Sequence, residues 1–188
     1  MDFLARQRDA LAGQVRTTPG AETTTLTRLR DKRAFMRLAA ELGLPHPRSV
    51  LDDEVGIEGR LPADLRFPAV VKPANLSCGF GVQRCATPAE AQAAIAGLRA
   101  KDRPFLVQEF FAGHDLDFCL VAEAGRIVRW TSRMNVGAKH RFGAPGQDWR
   151  LERLSELLPA IERLVAHVRW SGALDVDCLC QPATGEWR

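Results

Sequence analysis

Phe67-Pro-Ala-Val-Val-Lys72-Pro-Ala-Asn-Leu-Ser-Cys-Gly79-Phe-Gly81-Val82 is the stretch from which the rest of the chain is read. Ala69, Val70 and Val71 form a short apolar run, as in a buried strand. Lys72 closes that strand, Pro73 keeps it from extending, and a polar loop with two glycines follows. A return strand is predicted from Val82 to Ala86. The result is a hairpin whose tip presents backbone N–H groups, because glycine takes positive φ and lets the backbone approach an anion closely. The chain has 22 arginines and 4 lysines, so a lysine ending a buried strand points to a need for a compact ammonium rather than a planar fork. The pattern predicts a lid over a triphosphate.

A chain of 188 residues accommodates one ordinary domain or two small lobes sharing a cleft. Its hydrophobic fraction of 46% supplies a core, and its 26% of charged residues is ordinary for a soluble protein. A net charge of +3 with dispersed arginines argues against a nucleic-acid partner. No apolar run reaches the length of a membrane span, and the N-terminus lacks a signal-peptide core, so a membrane partner is not expected. Five cysteines without C-x-x-C spacing predict a reduced, cytoplasmic protein without a zinc site. Cys178 and Cys180 are expected to share a strand face as small apolar residues.

In chain order, residues 2–12 predict a short helix and residues 17–25 a loop. Thr25 or Thr27 caps the next helix, whose apolar residues Leu29, Phe35, Leu38, Ala39 and Leu42 recur at helical spacing up to Gly43. An extended segment near Arg48–Leu51 and a polar connection over 52–66 precede the hairpin. Thr87-Pro88 gives an N-cap and a proline at the first helical position, opening a helix to Leu98. A strand runs from Phe105 to Gln108, and two more, 115–123 and 127–134, turn at Ala124-Gly125. Residues 137–150 are Gly-rich and basic, as a substrate loop would be. Residues 151–169 predict an amphipathic helix that must accommodate Pro159, and 174–181 a strand. Irregular alternation of strands and helices with hairpins gives an α+β class with two lobes.

Three further features stand in order around Lys72. Asp31-Lys32 starts a helix ending in Gly43-Leu-Pro-His-Pro47; Gln108-Glu-Phe-Phe-Ala-Gly113-His-Asp115 lies one helix and one strand later; Gly172-Ala-Leu-Asp-Val-Asp177-Cys-Leu179 follows the long helix. This ordered set resembles the ATP-grasp superfamily, and within it the carboxylate–amine ligase-like members, from Leu29 onward. The resemblance implies an ATP-grasp fold of two α/β lobes with ATP in the cleft between them. Residues 1–47 would be lead-in helices and the remnant of a preceding domain, 48–108 the lid lobe with the glycine-rich loop, and 109–188 the catalytic lobe.

The resemblance also implies roles for single residues. Lys32 and Lys72 match the two phosphate-binding lysines, and Ser77, Cys78, Gly79 and Gly81 the flexible loop that closes on the β- and γ-phosphates. The side chain of Gln108 and the main chain of Glu109 and Phe111 would read the adenine edge, with Phe110 packing at the lobe junction. Asp115 matches an acid that accepts from the ribose hydroxyls, although glutamate is usual there. Asp177 matches the first Mg²⁺-binding position, a hard cation shared between carboxylate and phosphate oxygens. Leu179 would underlie the adenine ring, with Val70 or Val71 above it. The implied activity is an ATP-dependent ligation of a small-molecule carboxylate to an amine through an acyl phosphate. No residue is singled out as the catalytic acid or base.

The family's next strand carries Glu-x-Asn-x-Arg, whereas this chain ends at Trp187-Arg188, so the resemblance implies a fold truncated at the C-terminus and an inactive fragment. The alternative is a non-catalytic nucleotide-binding module of the same fold. A protein kinase is excluded because its glycine loop precedes the lysine and no H-R-D or D-F-G occurs. A P-loop NTPase is excluded because G-x-x-x-x-G-K-[ST] is absent.

Overall fold

A computed structural model of the chain describes residues 7, 10, 23–137, 148–181 and 183–188. The helix expected at 2–12, most of the loop expected at 17–25 and the greater part of the 137–150 loop lie outside the described residues. The rest forms two antiparallel sheets and the helices that cover them. Helices α1 (Thr23–Arg30) and α2 (Lys32–Glu41) come first, followed by strands β1 (Ser49–Leu51), β2 (Ala69–Pro73) and β3 (Gln83–Cys85). Helix α3 (Pro88–Arg99) then leads into β4 (Phe105–Glu109), β5 (His114–Glu123), β6 (Arg126–Asn135) and β7 (Trp149–Leu151). Helix α4 (Leu158–His167), β8 (Gly172–Gln181) and β9 (Glu186–Trp187) complete the chain. No described helix is long and apolar enough to cross a membrane.

The first sheet has the order β1-β4-β2-β3 and the second β7-β6-β5-β8-β9. Each strand alternates its side chains between faces. Ala69 and Val71 of β2 and Phe105 and Val107 of β4 are therefore buried together against Ala91, Ala94, Ile95 and Leu98 of α3. In the second sheet Leu116, Phe118 and Leu120 of β5 and Cys178 and Cys180 of β8 face Ile161 and Val165 of α4. One face of each sheet is thus spent on its own helix. Helix α2 lies between the two units. Its Met36 packs on Leu51, Ala74 and Leu106 of the first, and its Leu38 and Ala39 pack on Ala160 and Leu164 of α4.

Several boundaries differ from expectation for local reasons. The helix expected to start at Asp31-Lys32 forms, with Asp31 capping α2 by accepting from the backbone N–H of Arg33 at 2.8 Å and of Ala34 at 3.3 Å, so the continuous helix expected from Thr25 or Thr27 to Gly43 is two. Strand β2 runs through Lys72 to Pro73 instead of stopping at the lysine. Pro73 pairs with Phe105, and on its other side the hairpin ladder has already ended at Val71 opposite Gln83. The missing N–H of the proline thus falls where no ladder bond is required. The helix expected from 151 starts at Leu158, since residues 149–151 pair with 133–135 as an edge strand. Pro159 sits in the first turn of α4, where its lack of an N–H costs nothing. The turn at Ala124-Gly125 forms as expected, with φ of 48° and 86°.

Leu38 is fully buried in the cluster that holds α2 to α4. Leu38→Ala is expected to destabilise the protein by about 2–5 kcal/mol in urea denaturation. A loss below about 1 kcal/mol would mean that α2 is not held by this packing.

Candidate functional site

The faces not covered by α3 and α4 carry the polar residues. On β2, Val70 and Lys72 point away from α3, opposite Gln108 and Leu106 of β4. On the second sheet, Asp115 and Asp117 of β5 stand opposite Leu179 and Asp177 of β8, and Cys119 opposite Asp175. Arg133 of β6 adjoins Asp117 from the other side. Its guanidinium gives Asp117 two bonds, 3.0 Å from Nε and 2.8 Å from Nη2, while resting 4.6 Å above the Trp149 ring.

Lys32 and Lys72 approach this acidic row from the first sheet and from the start of α2. Burial first, and then the charge of Lys32, pulls the Lys72 ammonium down to about 8, against the opposing pull of Asp177. Lys32 is likewise lowered by burial, with Asp177 and Asp31 acting the other way. The Asp177 carboxyl is raised by burial, then by the carboxylates of Asp117, Asp175 and Asp115, while Lys32 lowers it. Two cations of one wall and the acid of the other therefore sense each other across one cleft. Each wall is electrostatically unfavourable alone, and a ligand carrying both a polyanion and a divalent cation relieves both.

The loop after β2 joins the lysine wall. Phe80 N–H donates to Ser77 O at 3.2 Å and Val82 N–H to Gly79 O at 3.3 Å, giving successive tight turns. Cys78, Gly79 and Gly81 take φ of 55°, 68° and 73°. At Gly81 a Cβ would lie 2.9 Å from Pro73 Cγ, so the position needs glycine for space as well as for φ.

The remaining expected residues divide. Leu179 faces the cleft beside Asp115, and its main chain is tied to Arg188 by two 2.9 Å bonds. Of the two valines considered for the opposite wall, Val70 is on the cleft face and Val71 is fully buried beneath α3. Gln108 is buried, and its amide nitrogen donates to Ser49 Oγ at 2.8 Å and lies 3.1 Å from Met36 Sδ. An adenine edge would have to compete with the Ser49 bond for that amide. The Glu109 N–H is taken by Arg48 O at 2.9 Å, and its carboxylate is held by Arg66 at 2.8 Å. Phe111 leaves the sheet with its ring 5.6 Å from the Arg188 guanidinium, and Phe110 lies 4.4 Å under that of Arg84.

Sequence reasoning passed over Asp117 and Arg133. Their signal was available in the alternation of Asp115 and Asp117, which repeats that of Asp175 and Asp177. Among the described residues no three His, Cys, Asp or Glu side chains converge to hold a metal unaided. One carboxylate completed by phosphate oxygens suits magnesium, which keeps few protein ligands, so Asp177 fits that ion.

Residues 48–142 match the family described as D-Ala D-Ala ligase C-terminus. The chain belongs to that family. Its fold is ATP-grasp, that of the carboxylate–amine ligases. Among curated proteins it is similar to a D-alanine–D-alanine ligase of Kocuria rhizophila, 31% identical over 97 residues, or 50% of this chain and 25% of that ligase. The chain thus spans a quarter of that relative's length. Among solved structures it resembles the biotin carboxylase domain of a Hydrogenobacter thermophilus 2-oxoglutarate carboxylase, in complex with MgADP, ADP and bicarbonate. The TM-score is 0.74 at 13% identity, covering 98% of this chain and 44% of that one. It also resembles an L-amino acid ligase of Bacillus licheniformis, with a TM-score of 0.69 at 19% identity, over 100% of this chain and 44% of that one.

The lowered Lys72 gives a direct expectation. A folded-state value near 8, below the ordinary lysine value, means that its positive charge opposes folding below about 8 and ceases to do so as pH rises toward the unfolded value. Competitive acylation, read by mass spectrometry across a pH series, should show Lys72 reacting with a midpoint near 8. A Lys72 midpoint at the ordinary lysine value of 10.5 would contradict the burial argument.

Proposed function

We propose that the chain forms the nucleotide-binding part of an ATP-dependent ligase that joins a carboxylate to an amine. The observation that carries this reading is the placement of Lys32 and Lys72 across one cleft from Asp177, with the turn-rich Ser77–Gly81 loop beside the lysines. Residues 48–108 would be the lid and 109–188 the lobe beneath it. Family membership and the ligases among its relatives support the reaction class. A cytoplasmic location belongs to the same reading.

In this account the adenine lies between Val70 and Leu179, within reach of the 109–111 main chain, and Asp115 accepts from the ribose. The triphosphate then runs along the β8 face toward Asp177. Lys32 and Lys72 neutralise its oxygens, and the backbone of residues 77–81 closes over its end. Asp177, with phosphate oxygens, would hold a magnesium ion, which would supply charge neutralisation for the transferring phosphoryl group. The residues of this chain act by positioning and by charge, as phosphoryl transfer requires. A carboxylate oxygen of the substrate attacks the γ-phosphorus and ADP leaves, giving an acyl phosphate. The amine then attacks the acyl carbon, the carbon–oxygen bond to phosphate breaks, and inorganic phosphate and a proton are released with the amide.

Lys72→Ala should weaken Mg-ATP binding by one to two decades, since a hydrogen bond to a charged group is worth about 1.5–3 kcal/mol. The fold should survive, as judged by circular dichroism. Bound phosphate holds the Lys72 proton, so wild-type affinity should also fall as pH rises through about 8, and the mutant should lose that dependence. Isothermal titration showing the same affinity and pH profile for both proteins would reject the assignment.

A further inference from the structure

The hydrogen bonds around the first turn of α2 close into a ring. Lys32 N–H donates to Ala74 O at 3.1 Å, and Ala74 N–H donates to Pro104 O at 2.8 Å. The next residue, Phe105, donates its N–H to Asp52 Oδ2 at 3.3 Å. Asp52 in turn accepts two bonds from Arg33 Nη1, at 3.2 and 2.9 Å, and Arg33 is the neighbour of Lys32. The other side of the same guanidinium holds Asp31, the cap of α2, with 3.3 Å from Nε and 2.9 Å from Nη2. Inside this ring the Lys32 ammonium bonds Leu76 O and lies 3.5 Å from Ala74 O, at the root of the glycine loop.

The ring joins four segments that are distant in sequence, and the Arg33 side chain ties Asp31, the cap of α2, to Asp52, whose carboxylate also accepts from the Phe105 N–H. Arg33 lines a surface groove together with Asp52, Asp53, Arg99 and Arg103. A planar fork can hold one carboxylate through two parallel donors while its third nitrogen reaches a second carboxylate, a geometry that a lysine ammonium does not have.

We propose that Arg33 is the positioning residue for Lys32: by clamping Asp31 to Asp52 it fixes the end of α2 against the first sheet, so that the Lys32 ammonium stands at the glycine loop. The proposal rests on the nucleotide reading for its functional consequence but has a geometric consequence of its own. A simple structural ion pair would stabilise the fold without acting through Lys32.

The test is a double-mutant cycle on Mg-ATP affinity with wild type, Arg33→Gln, Lys32→Ala and the double variant, together with acylation of Lys32 without nucleotide. Arg33→Gln should weaken binding about tenfold when Lys32 is present and hardly at all when it is absent, as expected of residues coupled in one network. Arg33→Lys, which keeps the charge and loses the fork, should show most of the same loss. Without nucleotide, Lys32 should become several-fold more reactive in Arg33→Gln while Lys101 is unchanged. Equal losses in both backgrounds, or unchanged Lys32 reactivity, would overturn the proposal. If Arg33→Gln does not fold, Asp52→Asn opens the ring at its other end and is read the same way. If wild type binds no nucleotide, the nucleotide reading fails, and the acylation result still decides whether Arg33 positions Lys32.

Discussion

Helix α2 must satisfy two sheets at once, and the cleft depends on that. It is ten residues long and amphipathic, with Met36 on one unit and Leu38 and Ala39 on the other. Both sheets have already committed one face to their own helices, so only the polar faces are left to the cleft. Burying apolar surface on two sides of one short helix helps to set the spacing between those faces. Because α2 starts at Lys32, the element that sets the spacing also delivers a charge to the cleft's edge.

Three charges of the cleft lie in surroundings that do not favour them. Burial lowers both lysines and raises Asp177, so each of these groups is held in a site that disfavours its ionised form. Other charges are paired: Arg33 with Asp31 and Asp52, Arg66 with Glu109 and, within the acidic row itself, Arg133 with Asp117. Among the described residues Lys72 forms no such ion pair. Groups strained in this way, gathered from distant parts of the chain, are what a binding site for a metal–polyphosphate needs.

Features that depend on neighbouring residues were legible in the sequence. The hairpin around Lys72, the Thr87-Pro88 helix start, the turn at Ala124-Gly125 and the inward pair Cys178 and Cys180 all follow from local propensity and period. Features that depend on pairing between distant strands were not. Strand β7 is short and at a sheet edge, with Leu151 76% exposed, so nothing in its composition separates it from the helix that follows. That Asp117 lies opposite Asp177, or that Ser49 occupies the Gln108 amide, requires the register of strands some sixty residues apart. Asp31 could be read as a helix start but not as one half of a clamp, because its other half, Asp52, arrives through tertiary folding.

The central claim is that one cleft holds a nucleotide with its phosphates between Lys32, Lys72 and Asp177. The most direct measurement is a crystal structure of the protein with a non-hydrolysable ATP analogue and Mn²⁺, with the ion located by anomalous scattering. The account predicts an anomalous peak at about 2.0–2.3 Å from an Asp177 carboxylate oxygen, as for a hard divalent cation. It also predicts phosphate oxygens on both lysines and the base between Val70 and Leu179. A nucleotide bound outside the cleft, or an ion that does not touch Asp177, would contradict it.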